Sequence, residues 1–275
     1  MSQCPWTRWT SWWPLRAFAI RESRTVEFYS HVAGLKELYP ILPAKELALP
    51  WRTESAHRAA EWAKDYTRST HGAAHKCSGI MGFVQMGWVV TAWHDFVVVT
   101  NGDGKTLEWK FSADRILHSA LDGPPLGMFA PPLFGDLPST PLPPNTVQSV
   151  LKVHTPWFYS VPKGWGLLMV PLDYSAESRF TSAIGVLNPR ISRQVNPILY
   201  WHVLKGETLV RAGTPLCRMI PIRLDTPLNT VVRDATDEEV QYQKFMALIS
   251  TSTWQRNHGI LGKIADTLRG SLSFK

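Results

Sequence analysis

The amino-acid sequence predicts a mainly β protein of the α+β class, with a barrel-like core of short strands, a proline-rich loop and C-terminal helices. Three observations predict this class. Runs rich in β-branched and aromatic residues recur between positions 83 and 222, glycine and proline interrupt these runs, and the chain after residue 235 changes to a helical pattern. With 275 residues, 44% of them apolar and 19% charged, the chain can form a buried core.

Changes in composition divide the chain into three predicted parts. Residues 1–24 form a tryptophan-rich N-terminal arm, residues 25–232 a β core domain, and residues 233–275 a C-terminal helical segment. Within the core domain, residues 122–145 contain eight prolines. We expect this stretch to be a loop packed over the surface, without strand ladders or helices, because proline lacks a backbone N–H group.

Four tryptophans lie close together in the N-terminal arm: Trp6, Trp9, Trp12 and Trp13. Leaving four indole rings in water is unfavourable, since each ring carries a large apolar surface. Two interpretations stay open. The arm packs on its own fold, or these tryptophans dock on a neighbouring subunit and form an interface.

The first elements of the core domain are predicted from local patterns. Residues 25–30 favour a strand, residues 37–51 an extended segment punctuated by proline, and residues 54–68 a helix. The apolar stripe of this helix follows helical spacing and consists of Ala59, Trp62, Ala63 and Tyr66.

The clearest strand patterns lie at residues 83–111 and 150–222. In the first region, Asn101-Gly102 and Asp103-Gly104 separate two β-rich runs and predict a hairpin, because tight hairpin turns require positive φ angles. In the second region, glycine and proline turns separate six short runs. Many short strands in succession favour a barrel or a sandwich.

The last part of the chain carries helix signals. Thr236 and Glu239 form a capping box, in which each side chain accepts a hydrogen bond from a free backbone amide. An apolar stripe at helical spacing follows, made of Tyr242, Phe245, Met246 and Ile249. We expect a second helix over residues 259–268.

Composition also narrows the classes of function. The net charge of +7 permits contact with nucleic acid, but the basic residues are scattered and predict no dedicated nucleic-acid surface. Three distant cysteines favour a reducing compartment over a disulfide framework. No apolar run is long enough for a membrane span, and the N-terminus lacks the features of a signal peptide, so we expect a protein that is not secreted by that route.

Three motifs occur in order within residues 158–222: Pro162-Lys-Gly164-Trp-Gly166, then Gly185-Val-Leu-Asn-Pro-Arg-Ile191, then Ala212-Gly213-Thr-Pro-Leu-Cys-Arg-Met-Ile-Pro221. This segment resembles the dUTPase/dCTP-deaminase superfamily, which implies a β-clip fold. In that family an aspartate orients the attacking water or the sugar hydroxyl, and a tyrosine stacks on the deoxyribose. Here Asn188 and Ile191 take their positions. The resemblance therefore implies a fold without catalysis, because an amide is no general base and an aliphatic chain offers no ring to stack on a sugar.

A second set of motifs covers residues 40–222. It includes Lys76-Cys77-Ser-Gly-Ile80, Gly87-Trp88-Val-Val-Thr-Ala-Trp93-His-Asp95 and Gly213-Thr-Pro215. This set resembles an uncharacterised protein family that is common in tailed-bacteriophage genomes. The resemblance implies a bacteriophage context, either the virion or the host cytoplasm, and no particular chemistry.

Four residues are candidates for a metal site: His71, His75, Cys77 and His94. Zinc would need three or four such groups at bonding distance, and no second cluster has regular spacing. We interpret these residues as loop histidines and a buried thiol, and we expect neither a metal nor a cofactor. Adjacent residues of a strand face opposite sides, which also argues against a catalytic pair of His94 and Asp95.

Two main hypotheses of function follow. The first is a non-enzymatic structural or assembly protein of a bacteriophage particle, which forms a homo-oligomer and contacts other virion proteins. The second is a nucleotide or small-ligand binding protein that does not hydrolyse its ligand, with a pocket lined by Gly185, Asn188 and Ile191. A metal-dependent oxygenase or deaminase built on His71, His75 and His94 is a third, weaker hypothesis.

Overall fold

The computed structural model describes residues 25–65, 73–111, 124–134, 142–225 and 228–251. It divides into two compact units, Met1–Thr226 and Pro227–Lys275, and each unit is described by itself. The mainly β prediction is confirmed, since the described residues of the first unit contain fourteen strands in four antiparallel sheets. These sheets are open, and the described strands form no closed barrel.

The strands have the following bounds: β1 Glu27–Tyr29, β2 Leu42–Pro43, β3 Trp88–Thr91, β4 Phe96–Asn101, β5 Glu108–Lys110, β6 Leu126–Phe129, β7 Val150–Val153, β8 Phe158–Ser160, β9 Trp165–Val170, β10 Phe180–Ser182, β11 Gly185–Leu187, β12 Ile198–Trp201, β13 Lys205–Val210 and β14 Pro215–Arg223. The described α-helices are α1 Leu35–Leu38, α2 Pro50–Asp65, α3 Ser78–Gln85, α4 Pro131–Phe134 and α5 Asp237–Thr251.

The strands pair out of chain order. The largest sheet runs β11-β9-β14-β3-β2, the next runs β10-β12-β7-β6, a third runs β13-β4-β5, and β1 pairs with β8. The strands between residues 158 and 222 are distributed over all four sheets, and in each sheet they pair with strands from earlier in the chain. This segment therefore pairs with strands throughout the unit and does not form a compact barrel of its own.

Two of the sheets enclose one apolar core. The inner faces of the three-stranded and four-stranded sheets meet in a sandwich. Within the four-stranded sheet, the rings of the register partners Phe180 and Trp201 stack with centroids 5.9 Å apart. Strand alternation explains this core, because every second side chain of each strand faces inward. Its buried members include Phe96, Val98, Leu126, Leu151, Val153, Leu199 and Val210.

A second core covers one face of the five-stranded sheet. Leu167 and Met169 of β9 pack there with Cys217 and Met219 of β14, against Trp157, Tyr159 and Val195. The opposite face of the same sheet carries Arg218 and its register partners Val89 and Val170. Arg218 donates a hydrogen bond to the carbonyl oxygen of Phe83, so helix α3 lies over that opposite face.

The predicted hairpin is confirmed between β4 and β5. Gly102 and Gly104 adopt φ angles of +92° and +67°, which residues other than glycine rarely adopt. The carboxylate of Asp103 accepts hydrogen bonds from the backbone N–H groups of Lys105 at 2.7 Å and Thr106 at 2.9 Å. The hydroxyl of Thr106 also donates to this carboxylate. The Thr106 hydroxyl and the two backbone bonds together hold the pKa of Asp103 well below its usual range.

Three local predictions were wrong, and proline position explains two of them. Residues 37–51 were expected to be extended, yet α2 begins at Pro50, where the missing N–H group needs no partner. The proline-rich loop contains β6, which pairs with β7 after Pro124 and Pro125, and also α4, which begins at Pro131. Residues 83–87 were predicted as strand, but Phe83 and the buried Val84 belong to α3, and β3 begins only at Trp88.

The second unit contains the predicted capping box. The Thr236 hydroxyl accepts the Glu239 N–H at 3.3 Å, and the Glu239 carboxylate accepts the Thr236 N–H at 2.8 Å. Helix α5 begins at Asp237, as these bonds require. The second predicted helix, at residues 259–268, lies outside the described residues. Among the described helices, none has the length and apolar character needed to cross a bilayer.

Candidate interaction surface

Strand β11 forms one edge of the five-stranded sheet. It pairs with β9 alone, with Val186 opposite Leu168 and Leu187 opposite Leu167. On its outer side, the described part of the chain supplies no neighbouring strand. An edge strand of this kind presents unpaired backbone groups, which can pair with another chain.

Apolar side chains next to this edge face solvent. Ile184, Val186 and Ile191 are 72%, 51% and 86% exposed, and we call these three residues the β11 surface. Strand alternation places Val186 on the face opposite Leu187, which packs against the second core. Several exposed β-branched residues along an unpaired strand edge are a feature of docking sites.

The turn after β11 is built around Asn188. The side-chain oxygen of Asn188 accepts the Arg190 N–H at 3.0 Å, while its backbone carbonyl accepts the N–H groups of Ile191 at 2.9 Å and Ser192 at 3.1 Å. This is the turn geometry that asparagine side chains favour. The side-chain oxygen of Asn188 therefore stabilises the turn that places Ile191 in solvent.

Tyr159 anchors the far end of this turn to the core. Its hydroxyl donates to the carbonyl oxygen of Ser192 at 2.9 Å, and its backbone N–H donates to the carbonyl oxygen of Arg193 at 2.9 Å. Burial raises the pKa of the Tyr159 phenol to about 12, so the hydroxyl stays protonated and remains a donor. The turn is held on both sides and presents Ile191 from a fixed backbone.

The Pro162-Lys-Gly164-Trp-Gly166 motif lies at the start of β9. Gly164 has a φ angle of +79°, and a Cβ atom there would lie 1.9 Å from the Asp225 carboxylate. A Cβ atom at Gly166 would lie 2.8 Å from the carbonyl oxygen of Leu187 in β11. The absence of side chains at both glycines allows β9, β11 and the chain after β14 to pack closely.

The three residues of the predicted ligand pocket lie in one strand and turn, but they do not enclose a common space. Gly185 is opposite Met169 in the register with β9. The side-chain oxygen of Asn188 is engaged within its own turn. Ile191 is almost fully exposed, so its side chain cannot form the wall of a closed pocket.

The candidate metal ligands are not brought together by the described residues. His75 is paired with the Ser55 hydroxyl at 3.1 Å, and His71 lies outside the described residues. Cys77 is exposed, so its interpretation as a buried thiol was wrong. Among the residues with a described position, no group of three or more His, Cys, Asp or Glu side chains could hold a metal ion.

His94 and Asp95 have separate partners. Nδ1 of His94 donates to the Asp95 backbone carbonyl at 2.9 Å, while the Asp95 carboxylate accepts the Ala212 N–H at 2.7 Å. Burial lowers the pKa of His94, which favours the neutral ring. The imidazole is therefore oriented by a backbone carbonyl, not by the neighbouring carboxylate.

The predicted interface tryptophans Trp6, Trp9, Trp12 and Trp13 lie outside the described residues. The sequence analysis did not identify Ile184 and Val186 as surface residues of interest. It predicted a strand there but not the position of that strand in the sheet. An edge position depends on the order in which distant strands pair, and no local pattern contains that order.

Fold and surface together define a mainly β protein with an exposed apolar strand edge. Comparisons with known proteins found no match, either to a family model or to a curated protein sequence.

Proposed function

We propose that this chain is a non-enzymatic structural or assembly protein of a bacteriophage particle, acting through protein–protein contacts in a homo-oligomer. The β11 surface is the observation that carries the proposal, because it combines an unpaired strand edge with exposed apolar side chains. The bacteriophage context rests on the motif resemblance in residues 40–222.

The energetics of the β11 surface favour docking. Covering one exposed valine or isoleucine side chain contributes roughly 1.5–3 kcal/mol. Three such residues, Ile184, Val186 and Ile191, offset part of the cost of association, and backbone pairing along β11 adds direction to the contact. A second copy of this chain would continue the five-stranded sheet beyond its present edge.

The Asn188 turn supports the absence of catalysis. An amide cannot take up a proton as a general base does at neutral pH, and the side-chain oxygen of Asn188 already accepts the Arg190 N–H. Ile191 offers no ring face to a nucleoside. The proposal therefore assigns this turn to contact with protein, not to hydrolysis.

Light scattering coupled to size-exclusion chromatography tests the proposal. We expect the wild-type chain to elute as an oligomer and Val186→Glu to shift it towards the monomer, since a carboxylate at a covered edge is unpaired and desolvated. Leu133→Glu is the matched control, because Leu133 of α4 is 68% exposed and lies far from β11 in the chain.

A monomeric wild-type protein that is also absent from purified virions by mass spectrometry would contradict the proposal. Equal dissociation by Val186→Glu and Leu133→Glu would remove the β11 surface from it. Thermal-shift measurements with deoxynucleoside triphosphates address the nucleotide-binding alternative, which needs a rise in melting temperature that the assembly function does not require.

A further inference from the structure

The loop between β4 and β5 contains two neighbouring residues that can react with each other. Asn101 is followed by Gly102, and this is the one Asn-Gly pair in the sequence. Both residues are exposed where β4 ends, so water and hydroxide reach them. The backbone nitrogen that follows an asparagine can attack the carboxamide carbon, and glycine shields that nitrogen least because it has no Cβ atom. The pair is therefore suited to an intramolecular modification.

The other asparagines with a described position are less suited to this reaction. They are Asn145, Asn188, Asn196 and Asn229. Asn188 and Asn196 precede prolines, whose backbone nitrogen has no hydrogen to lose. Asn145 and Asn229 precede threonines, whose branched Cβ atom crowds the backbone nitrogen. Because Asn229 is as exposed as Asn101 by class, it provides a comparison within the same chain.

The carboxamide of Asn101 is held by hydrogen bonds within the loop. Its Oδ1 atom accepts the Asp103 N–H at 2.8 Å, while Nδ2 donates to the Asp103 carboxylate at 3.2 Å and to the Thr106 hydroxyl at 3.5 Å. Ring closure expels Nδ2 as ammonia, so both of its hydrogen bonds are lost in the reaction. Interactions that are made in the ground state and lost in the transition state raise the barrier. The bonds to Nδ2 therefore slow the reaction of Asn101.

The negative charge of Asp103 acts in the same direction. Gly102 has to lose its amide proton when its nitrogen attacks, and a neighbouring carboxylate disfavours the negative charge that develops there. The carboxylate is fixed in place, because it accepts hydrogen bonds from the N–H groups of Lys105 and Thr106 and from the Thr106 hydroxyl. Bond and charge together give Asp103 control over the reactivity of its neighbours.

We propose that Asn101 modifies itself by deamidation and that the carboxylate of Asp103 sets the rate. The Gly102 nitrogen forms a bond to Cγ of Asn101, the Cγ–Nδ2 bond breaks, and Nδ2 leaves as ammonia with the proton that Gly102 has lost. Water then opens the succinimide ring at either carbonyl group, which gives aspartate or isoaspartate at position 101. No oxidant or reductant is needed. The inference does not depend on assembly through the β11 surface, because it uses a different loop.

The reaction changes a loop that connects several strands. It replaces a donor to the Asp103 carboxylate by a second carboxylate, so that attraction becomes repulsion. The same loop is bonded to the chain before β7, since the carbonyl oxygens of Gly104 and Lys105 accept the N–H groups of Gln148 and Ser149 at 2.9 and 3.0 Å. Deamidation therefore weakens the loop at the point where the hairpin is attached to the four-stranded sheet.

Peptide mass spectrometry of the whole folded protein, incubated at mildly alkaline pH, tests the proposal. Trypsin releases Asn101 in a peptide that ends at Lys105 and Asn229 in a peptide that ends at Arg233. We expect Asn101 to gain the mass difference between an amide and an acid, with isoaspartate among the products, while Asn229 stays unchanged. A sample digested without incubation corrects for reaction during digestion.

Two outcomes of this experiment would overturn the proposal. The first is an intact Asn101 over a period in which a free peptide of residues 98–106 has reacted completely. The second is a faster reaction at Asn229 than at Asn101, since the following glycine would then confer no reactivity in the folded chain.

Variants of Asp103 test its control over the rate. We expect Asp103→Ala to deamidate at Asn101 several-fold faster than the wild-type protein, because the bond to Nδ2 and the negative charge are both removed. Asp234→Ala, at another exposed aspartate, is the matched control and should leave the rate at Asn101 unchanged.

A second variant covers the case in which Asp103→Ala opens the hairpin. Asp103→Ser removes the charge but keeps a short side-chain oxygen that can accept the loop N–H groups, as serine does in turns. With a melting temperature close to that of the wild-type protein, it should still deamidate faster at Asn101. A wild-type rate in Asp103→Ser would refute the role of the carboxylate.

Discussion

At the scale of single residues, Tyr159 links the core to the Asn188 turn. The phenol is fully buried and donates to the carbonyl oxygen of Ser192. The sequence placed Tyr159 in a β-rich run, but it contained no sign of this hydrogen bond. The partner lies 33 residues further along the chain, and only the pairing of distant segments brings the two together.

The raised pKa of Tyr159 predicts a loss of stability at high pH. Its pKa is about 12 in the folded protein and about 10 in the unfolded chain, so the folded state binds the proton more tightly. The contribution is complete below pH 10 and is lost as the pH rises towards 12. Urea unfolding across this range should show a steeper decline for the wild-type protein than for Tyr159→Phe.

The phenylalanine variant removes the titrating group and keeps the ring. At neutral pH, Tyr159→Phe should lower the free energy of unfolding by about 1 kcal/mol, the usual net value of one hydrogen bond. Identical pH profiles for the two proteins between pH 10 and 12 would show that the phenol is not selectively protonated in the folded state.

At the scale of elements, Gly87 joins α3 to β3 through a close backbone contact. Its φ angle is +72°, and a Cβ atom there would lie 1.9 Å from the carbonyl oxygen of Met219. Gly87→Ala should therefore destabilise the protein by at least about 2 kcal/mol, because neither the conformation nor the space admits a methyl group. Denaturant unfolding measures this loss.

Gly82 provides the matched control within the same region. It lies inside α3, and a Cβ atom there would meet nothing within 4 Å. Gly82→Ala should stabilise the protein by about 0.5–1 kcal/mol, since alanine favours the helix. A similar effect of both substitutions would contradict the close contact at Gly87.

Most strands could be predicted from the sequence. The predictions were wrong where contacts with distant parts of the chain determine the secondary structure. Alternating apolar residues and the glycines of the hairpin gave β3, β4 and β5 without knowledge of the fold. The short apolar stretch at Ile80 to Val84 fits either a strand or a helix, and burial against the sheet selected the helix. Strand β6 was missed because Pro124 and Pro125 precede its ladder and leave Leu126 to Phe129 free to pair.

At the scale of the whole molecule, the second unit begins with an exposed segment before α5. Val231 and Val232 are 79% and 93% exposed, and residues 228–236 belong to no strand or helix. We expect thermolysin, which cleaves before large apolar residues, to cut here before it cuts any other part of the described chain. Mass spectrometry of the early products would identify the site, and first cleavage within β9 or β14 would contradict this reading.

The β11 surface and the buried Arg218 differ in how much of each could be predicted from the sequence. Motif resemblance singled out Gly185, Asn188 and Ile191 in the sequence, and the structure places them in β11 and in the turn that follows it. In the sequence, Arg218 was only one residue of the third motif, and no role was predicted for it. Its burial arises because α3 covers one face of the sheet, and no pattern in β14 predicts that cover.

The position of β14 has a consequence for synthesis on the ribosome. This strand lies in the middle of the five-stranded sheet, between β9 and β3, yet it is the last strand of its unit to be translated. Strands β3 and β9 both pair with β14, so each keeps one edge unpaired until Arg223 has emerged from the exit tunnel. During that time the nascent chain presents an open edge on each of these two apolar strands, and an open edge is where another chain can add a strand.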